Sequence, residues 1–246
     1  MGYQSVRGFW ARRLARDEWL GLHLTLGLVL FLVLLGCFGS LALEVDGPQP
    51  PEVDESIYER LRQHREASPA TRSFFLHLTD AGTSRFVTPI VLAGAMLSIW
   101  KRRFAFAAVW VLAIATAPLV SSEFKDIFQR ARPAGIDPLA PEKSYSFPSG
   151  HSMEAIVAYG MASYLLLVTL PPRHWLRGVA VGGSILLIIA IGFSRMYLSA
   201  HWLTDVLGGF ALGAAWVALW IGILECGRRR PSHRVTRHDA IAAIRT

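Results

Sequence analysis

The sequence predicts an all-α fold: an integral-membrane bundle of six transmembrane helices with both termini in the cytoplasm. Three observations carry this expectation. Of 246 residues, 52% are hydrophobic and only 17% charged, with a mean hydropathy of +0.37. The apolar residues fall in long uninterrupted runs, several near or beyond the ~20 residues that cross a bilayer as a helix. Lysine and arginine are abundant in every second inter-run segment, as the positive-inside bias requires.

The first run, residues 19–43, is free of charge. It exceeds a signal-peptide core of roughly 7 to 15 residues, so it reads as a retained span. A long connection, 44–85, follows on the outer side, with enough apolar residues to fold against the membrane face. Within it SFFLHLTDAGTSR has the character of an amphipathic interfacial piece. The second span, 86–100, is short at its charge-free limits and should begin before Arg85. Spans 104–122, 155–172, 178–194 and 206–224 complete the set. No repeat is visible, and the whole chain, 1–246, reads as one domain. Cys37 and Cys226 lie far apart within or at the end of apolar runs, which suggests neither a disulfide framework nor a zinc site. Gly178 with Gly182, and Gly209 with Gly213, have the spacing of close helix packing. Trp100, Trp175 and Trp202 stand near span ends, where an aromatic belt belongs. The basic residues 228–230 read as a cytoplasmic stop signal.

With the N-terminus inside, the inner segments hold 15 Lys+Arg against 4 Asp+Glu, and the outer ones 10 against 14. The high pI therefore reflects membrane topology. No basic patch with aromatic stacking residues suggests a nucleic-acid partner, and no protein partner is evident.

Polar residues without a topological reason gather on the outer face. Lys125 and Arg132 follow the third span, Ser149, Gly150 and His151 precede the fourth, Arg195 ends the fifth, and His201 and Asp205 open the sixth. Taken singly, each has an ordinary explanation as a snorkelling cation or helix-start residue. Together they are three cations, two of them guanidinium forks matched to phosphate oxygens, beside a helix start whose Ser149 and Gly150 N–H groups can add donors to the same anion. Glycine at 150 lets the backbone approach closely. Asp205, four residues after His201, can hold its Nδ1–H and leave Nε2 free as a nucleophile, with His151 remaining as an acid. The residues alone do not exclude a swap of the two histidines. Glu154, one turn after His151, reads as a helix-start carboxylate; His64 and His77 lack partners at a convincing spacing.

Lys125, six residues and Arg132-Pro133, then Pro148-Ser149-Gly150-His151, then Ser194-Arg195, five residues, His201, three residues and Asp205 resemble the complete tripartite signature of the type 2 phosphatidic acid phosphatase family. The resemblance implies a metal-independent enzyme without cofactors that hydrolyses a lipid phosphate through a phosphohistidine. His201 would be nucleophile, Asp205 its orienter and His151 general acid then base, with Lys125, Arg132, Ser149, Gly150 and Arg195 binding phosphate. It implies a bilayer-borne substrate such as phosphatidylglycerophosphate, phosphatidic acid or undecaprenyl diphosphate. A phosphotransferase using the same intermediate is the alternative. A transporter fits less well, since no ionisable residue lies at mid-span. The related vanadium-dependent haloperoxidases are soluble, which the hydropathy here opposes. The expected location is a bacterial cytoplasmic membrane with the site facing outward.

Overall fold

A computed structural model describes residues 19–227 except 48, 140 and 141, with side chains from Thr25 onward. Residues 1–18 and the basic residues 228–230, which contribute to the charge argument for topology, lie outside the described residues.

The helices are α1 (Trp19–Val45), α2 (Glu52–Ala67), α3 (Pro69–Asp80), α4 (Ser84–Trp100), α5 (Phe104–Phe128), α6 (Gly150–Thr169), α7 (Trp175–Tyr197) and α8 (Leu203–Gly227), with no strand among the described residues. Six segments are long and apolar enough to cross a membrane: α1, α3 with α4 taken together, α5, α6, α7 and α8. The protein is thus a multi-pass membrane protein, and α1, α4, α5 and α7 turn leucine, valine and methionine side chains such as Leu43, Met96, Leu119 and Leu186 outward, where acyl chains would meet them.

The second span does begin before Arg85. α4 alone has 17 residues, which at about 1.5 Å per residue falls short of a ~30 Å hydrocarbon core. α3 lengthens it beyond a corner at residues 81–83. A Cβ on Gly82 in that corner would come 2.8 Å from Ile191 Cγ2 and 3.2 Å from His151 Cδ2, so glycine lets the corner press on α7 and on the site.

α6 and α8 form the centre. α6 packs on α4, α5, α7 and α8, and α8 also on α1 and α5. Their backbones meet because of two glycines: a Cβ at Gly209 would stand 2.5 Å from Ser149 O, and one at Gly213 2.9 Å from Met153 O. The spacing therefore means packing for this pair. For Gly178 and Gly182 it does not, since nothing lies within 4 Å of either Cβ position. Phe38, Phe147, Met153 and Leu212 fill one half of the core, and Val91, Trp110, Met161 and Leu165 the other. Pro171 and Pro172 follow the C-cap of α6, where they cannot continue the helix.

The long connection is largely helical. Its helices α2 and α3 close over the ends of α7 and α8, held by specific polar contacts. Arg65 donates to Ser199 Oγ (2.8 Å) and Gly135 O (3.0 Å), and Arg72 forks onto Asp137 (2.5 and 2.7 Å). His64 does have a partner, Tyr197 Oη at 3.0 Å, while His77 faces the cleft described below. Trp202 also departs from expectation. Trp100 and Trp175 are exposed at span ends, but Trp202 is buried, donates to Ala131 O and lies under Arg130.

Candidate active site

The site forms where helix ends converge on the α2–α3 side. α5 ends at Gln129 in the left-handed conformation, φ +45°, with its N–H closing on Lys125 O. That reversal carries residues 130–133 across the mouth of the bundle. Ser146 N–H donates to Arg130 O, Ser149 N–H to Asp205 O and Asp137 N–H to Leu198 O, stitching the α5–α6 connection to the α7–α8 turn. All eight residues expected at the site come together there.

His201, 3% exposed, sits in that turn with Nδ1 3.4 Å from Asp205 Oδ2. No hydrogen bond is formed across that gap, and Nδ1 is buried without a hydrogen-bond partner. Its Nε2 lies 3.2 Å from Arg132 Nη1. A guanidinium only donates, so Nε2 must be the bare nitrogen and the proton belongs on Nδ1, facing the carboxylate. Nε2 is thus unprotonated as expected, yet not free of a neighbour. Burial holds His201 well below the ordinary imidazole range, Arg132, Arg195 and Lys125 push the same way, and the Ser146 backbone opposes them. The ring is therefore neutral at physiological pH.

Asp205 is fully buried and is held by groups the sequence did not single out. It accepts from Arg130 Nη1 (2.5 Å), from Trp202 N–H (2.8 Å) and, through a short bond, from Ser146 Oγ. Arg130 donates in turn to Thr204 Oγ1 (2.7 Å) and to Asp54 Oδ2 (2.7 Å). Asp54, 1% exposed, also accepts from Thr204 N–H (3.0 Å) and Thr204 Oγ1 (2.5 Å).

The cations surround an internal anion. Arg195 Nη2 makes a short bond to Glu142 Oε1, Arg132 Nη2 stands 3.6 Å from Glu142 Oε2, and His151 Nδ1 3.8 Å from Glu142 Oε1. Lys125 Nζ donates to Ser144 Oγ (2.9 Å). Arg132 also donates to Ser144 O (2.7 Å), Ala200 O (2.6 Å) and Tyr145 O (3.0 Å), contacts that fix its plane. Burial pulls the Arg132 guanidinium below its usual range, an effect Glu142 opposes. Arg195 Nη1 donates to Thr79 Oγ1 (3.0 Å), while its Nε–H is buried and unpaired. That unpaired charged donor is placed to bind an anionic ligand.

Ser149 caps α6: its Oγ accepts from Ser152 N–H (3.4 Å) and Ser152 Oγ (3.0 Å). Its own N–H donates to Asp205 O and the residue is fully buried, so the main-chain donor expected of Ser149 is already engaged. Ser149 instead ties His151's helix to Asp205's. At Gly150 a Cβ would meet Ser121 Oγ at 3.6 Å and Glu154 Oε1 at 3.9 Å. The protein itself leaves room for a side chain there. His151, in the first turn of α6, borders a cleft of about 500 Å³ lined also by His77, Thr79, Asp80, Glu142 and Arg195.

The arrangement can hold a tetrahedral oxyanion against three cations with a bare imidazole nitrogen beside it and a second imidazole at the cleft. Reading by motif missed Arg130, Asp54, Ser146, Thr79 and Glu142. Arg130, two residues from Arg132 in QRARP, offered a charge to question; Asp54 offered no local signal.

The sequence model of the PAP2 superfamily matches residues 106–225. Phosphatidylglycerophosphatase B of Bacillus subtilis is 37% identical over 139 residues, 55% of this chain and 66% of that protein. An undecaprenyl-diphosphatase of Sulfolobus acidocaldarius is 30% identical over 136 residues, 53% of this chain and 59% of that one. The match therefore spans two thirds or less of these relatives' length. The crystal structure of a transmembrane PAP2-type phosphatidylglycerolphosphate phosphatase from Bacillus subtilis superposes with a TM-score of 0.72 at 30% identity, covering 83% of this chain and 98% of that one. With nearly all of that fold in common at 30% identity, the chain belongs to the PAP2 superfamily, the type 2 phosphatidic acid phosphatases.

Proposed function

We propose that this chain hydrolyses a lipid phosphate at the outer face of a bacterial cytoplasmic membrane, through a phosphohistidine on His201. The observation that carries the reading is the bare Nε2 of His201 held 3.2 Å from Arg132, inside the group of cations. Lys125, Arg132 and Arg195 bind the phosphoryl oxygens, with Gly150 N–H at the start of α6, and the phosphate displaces the Glu142 carboxylate. These cations supply the charge neutralisation that a two-metal phosphatase draws from its ions. Nε2 attacks phosphorus in line as Nδ1–H tightens onto Asp205, a contraction expected on going from a resting site to a reacting one. His151 protonates the departing oxygen. It then takes a proton from water, which attacks phosphorus and breaks the P–N bond, releasing inorganic phosphate and restoring neutral His201.

The names of the relatives favour phosphatidylglycerophosphate as substrate, with undecaprenyl diphosphate next. Purified enzyme in detergent with EDTA should release phosphate from a panel of these lipids. Rapid acid-avoiding quench should trap an acid-labile phosphoenzyme in wild type. Activity that EDTA abolishes and Mg²⁺ restores would overturn the metal-free mechanism; phosphate recovered on a second lipid would make the protein a transferase.

A further inference from the structure

We infer that Asp54 and Arg130 are positioning residues for the nucleophile, the outer members of a buried carboxylate–guanidinium–carboxylate chain that sets the charge and direction of Asp205 toward His201. This rests on the phosphohistidine reading above. Asp54 lies in α2, within the outer connection, far in sequence from every motif. Yet it receives three hydrogen bonds, one from Arg130 just past α5 and two from Thr204 at the start of α8. Asp54 and Asp205 are almost wholly excluded from solvent and share one guanidinium through its two terminal nitrogens, 2.7 and 2.5 Å away.

The charges decide what Asp54 does. Two carboxylates on one guanidinium leave a net charge of minus one, and Asp205 Oδ2 is the oxygen nearest His201 Nδ1. That residual charge is what a carboxylate needs to hold Nδ1–H and support positive charge on the imidazole as Nε2 bonds to phosphorus. If Asp54 carried no charge, Arg130 would neutralise Asp205 outright, and the imidazole would be a weaker nucleophile although every motif residue remained. Arg130 also directs Oδ1 away from the histidine, so that Oδ2 presents itself to the ring along with its bonds from Ser146 and Trp202. A buried ion pair adds little to stability on average because desolvation offsets attraction. The three-membered chain is better accounted for by the orientation it imposes.

The experiment is a charge cycle read by rapid-quench phosphorylation with p-nitrophenyl phosphate. Each rate is referred to the fraction of sites that bind inorganic phosphate, so partial folding does not enter the comparison. Asp54→Asn should phosphorylate roughly 10- to 100-fold more slowly than wild type, the range typical when a supporting partner is lost, with inorganic phosphate inhibition little changed. Asp54→Glu, which keeps the charge, should lie between the two. The double variant Asp54→Asn, Arg130→Gln restores the charge of Asp205 and should phosphorylate faster than Asp54→Asn alone, a coupling that distant independent sites do not show. A double variant as slow as or slower than Asp54→Asn, or Asp54→Glu no better than Asp54→Asn, means the chain is scaffolding only and overturns the inference. Wild-type phosphorylation at the full rate in Asp54→Asn overturns it as well. Failure to find any phosphoenzyme in wild type sinks the earlier mechanism instead, and so is distinguishable.

Discussion

His201 and His151 sit in environments that predict different failures. His201 is buried with its bare nitrogen among cations, whereas the His151 side chain is 23% exposed at the edge of the cleft. Replacing His201 by Ala removes the covalent step itself, so lipid and aryl phosphates should both fail and no phosphoenzyme should form. His151→Ala should lose about 10²- to 10⁴-fold on an alkyl phosphate, the usual scale of general acid catalysis. An aryl leaving group needs little protonation, so p-nitrophenyl phosphate should give this variant a burst of phenolate followed by slow turnover. A burst in His201→Ala with none in His151→Ala would reverse the two roles. At this scale the sequence disclosed the residues that the fold gathers at the site, because phosphate chemistry demands such residue types at fixed spacings. It did not disclose Asp54 or Arg130. A buried carboxylate is defined by what it meets across the fold, and Asp54 meets Thr204 and Arg130 only once α2 has closed over α8.

Among helices, the apolar spans were legible and their ends on the side of the site were not. α5 runs to Phe128, well past the charge-free limit at 122, and α6 starts at Gly150, ahead of 155; α7 and α8 overrun in the same way toward the site. The reason is that site residues are polar and ride on helical turns, so the charge that ends a hydrophobic run marks the site and not the end of the helix. α2 escaped and α3 showed only as the amphipathic piece SFFLHLTDAGTSR, because their polar faces find partners such as Ser199, Gly135 and Asp137 on distant segments. The α3 contact gives a test. Arg72's hydrogen bonds hold the Asp137 carboxyl below its usual range, with burial opposing. A carboxylate depressed in the folded state stabilises fully above its unfolded pKa of about 3.9 and loses that contribution as pH falls through the folded value. Protection of residues 69–80 from hydrogen exchange, corrected for intrinsic rates, should therefore be flat from about pH 8 to 5. Asp137→Asn should lower it throughout that range without touching α5; equal protection in the variant would show that the fork onto Arg72 does not hold α3.

For the molecule as a whole, charge asymmetry sets the direction of insertion. Leu139, exposed beside the site, and Arg173, in the turn at the far end, make opposite reporters. With Cys37 and Cys226, both exposed, changed to serine, a membrane-impermeant maleimide applied to intact cells should label a cysteine at 139 and spare one at 173. The reverse pattern would put the site in the cytoplasm.

The contact of α6 with α8 bears on how such a site tolerates different lipids. Gly209 and Gly213 bring the two backbones together, and Ser149 N–H bonds Asp205 O across the seam. His151 rides on one helix, and Asp205, with His201 just ahead of it, on the other. His151 and His201 therefore belong to a single stiff jaw whose gap is set by main chain rather than by side-chain rotamers. The opposing jaw is α3, bringing His77, Thr79 and Asp80 to the cleft; side chains fasten it, Arg72 to Asp137 and Arg195 to Thr79, with Tyr159 Oη donating to Ala81 O at its end. A bulkier or smaller headgroup can be met by displacing that second jaw, with the proton-transfer distance untouched. Redirecting the enzyme to another lipid then calls for changes along α3, and a substitution at Gly209 or Gly213 should cost turnover on every substrate alike.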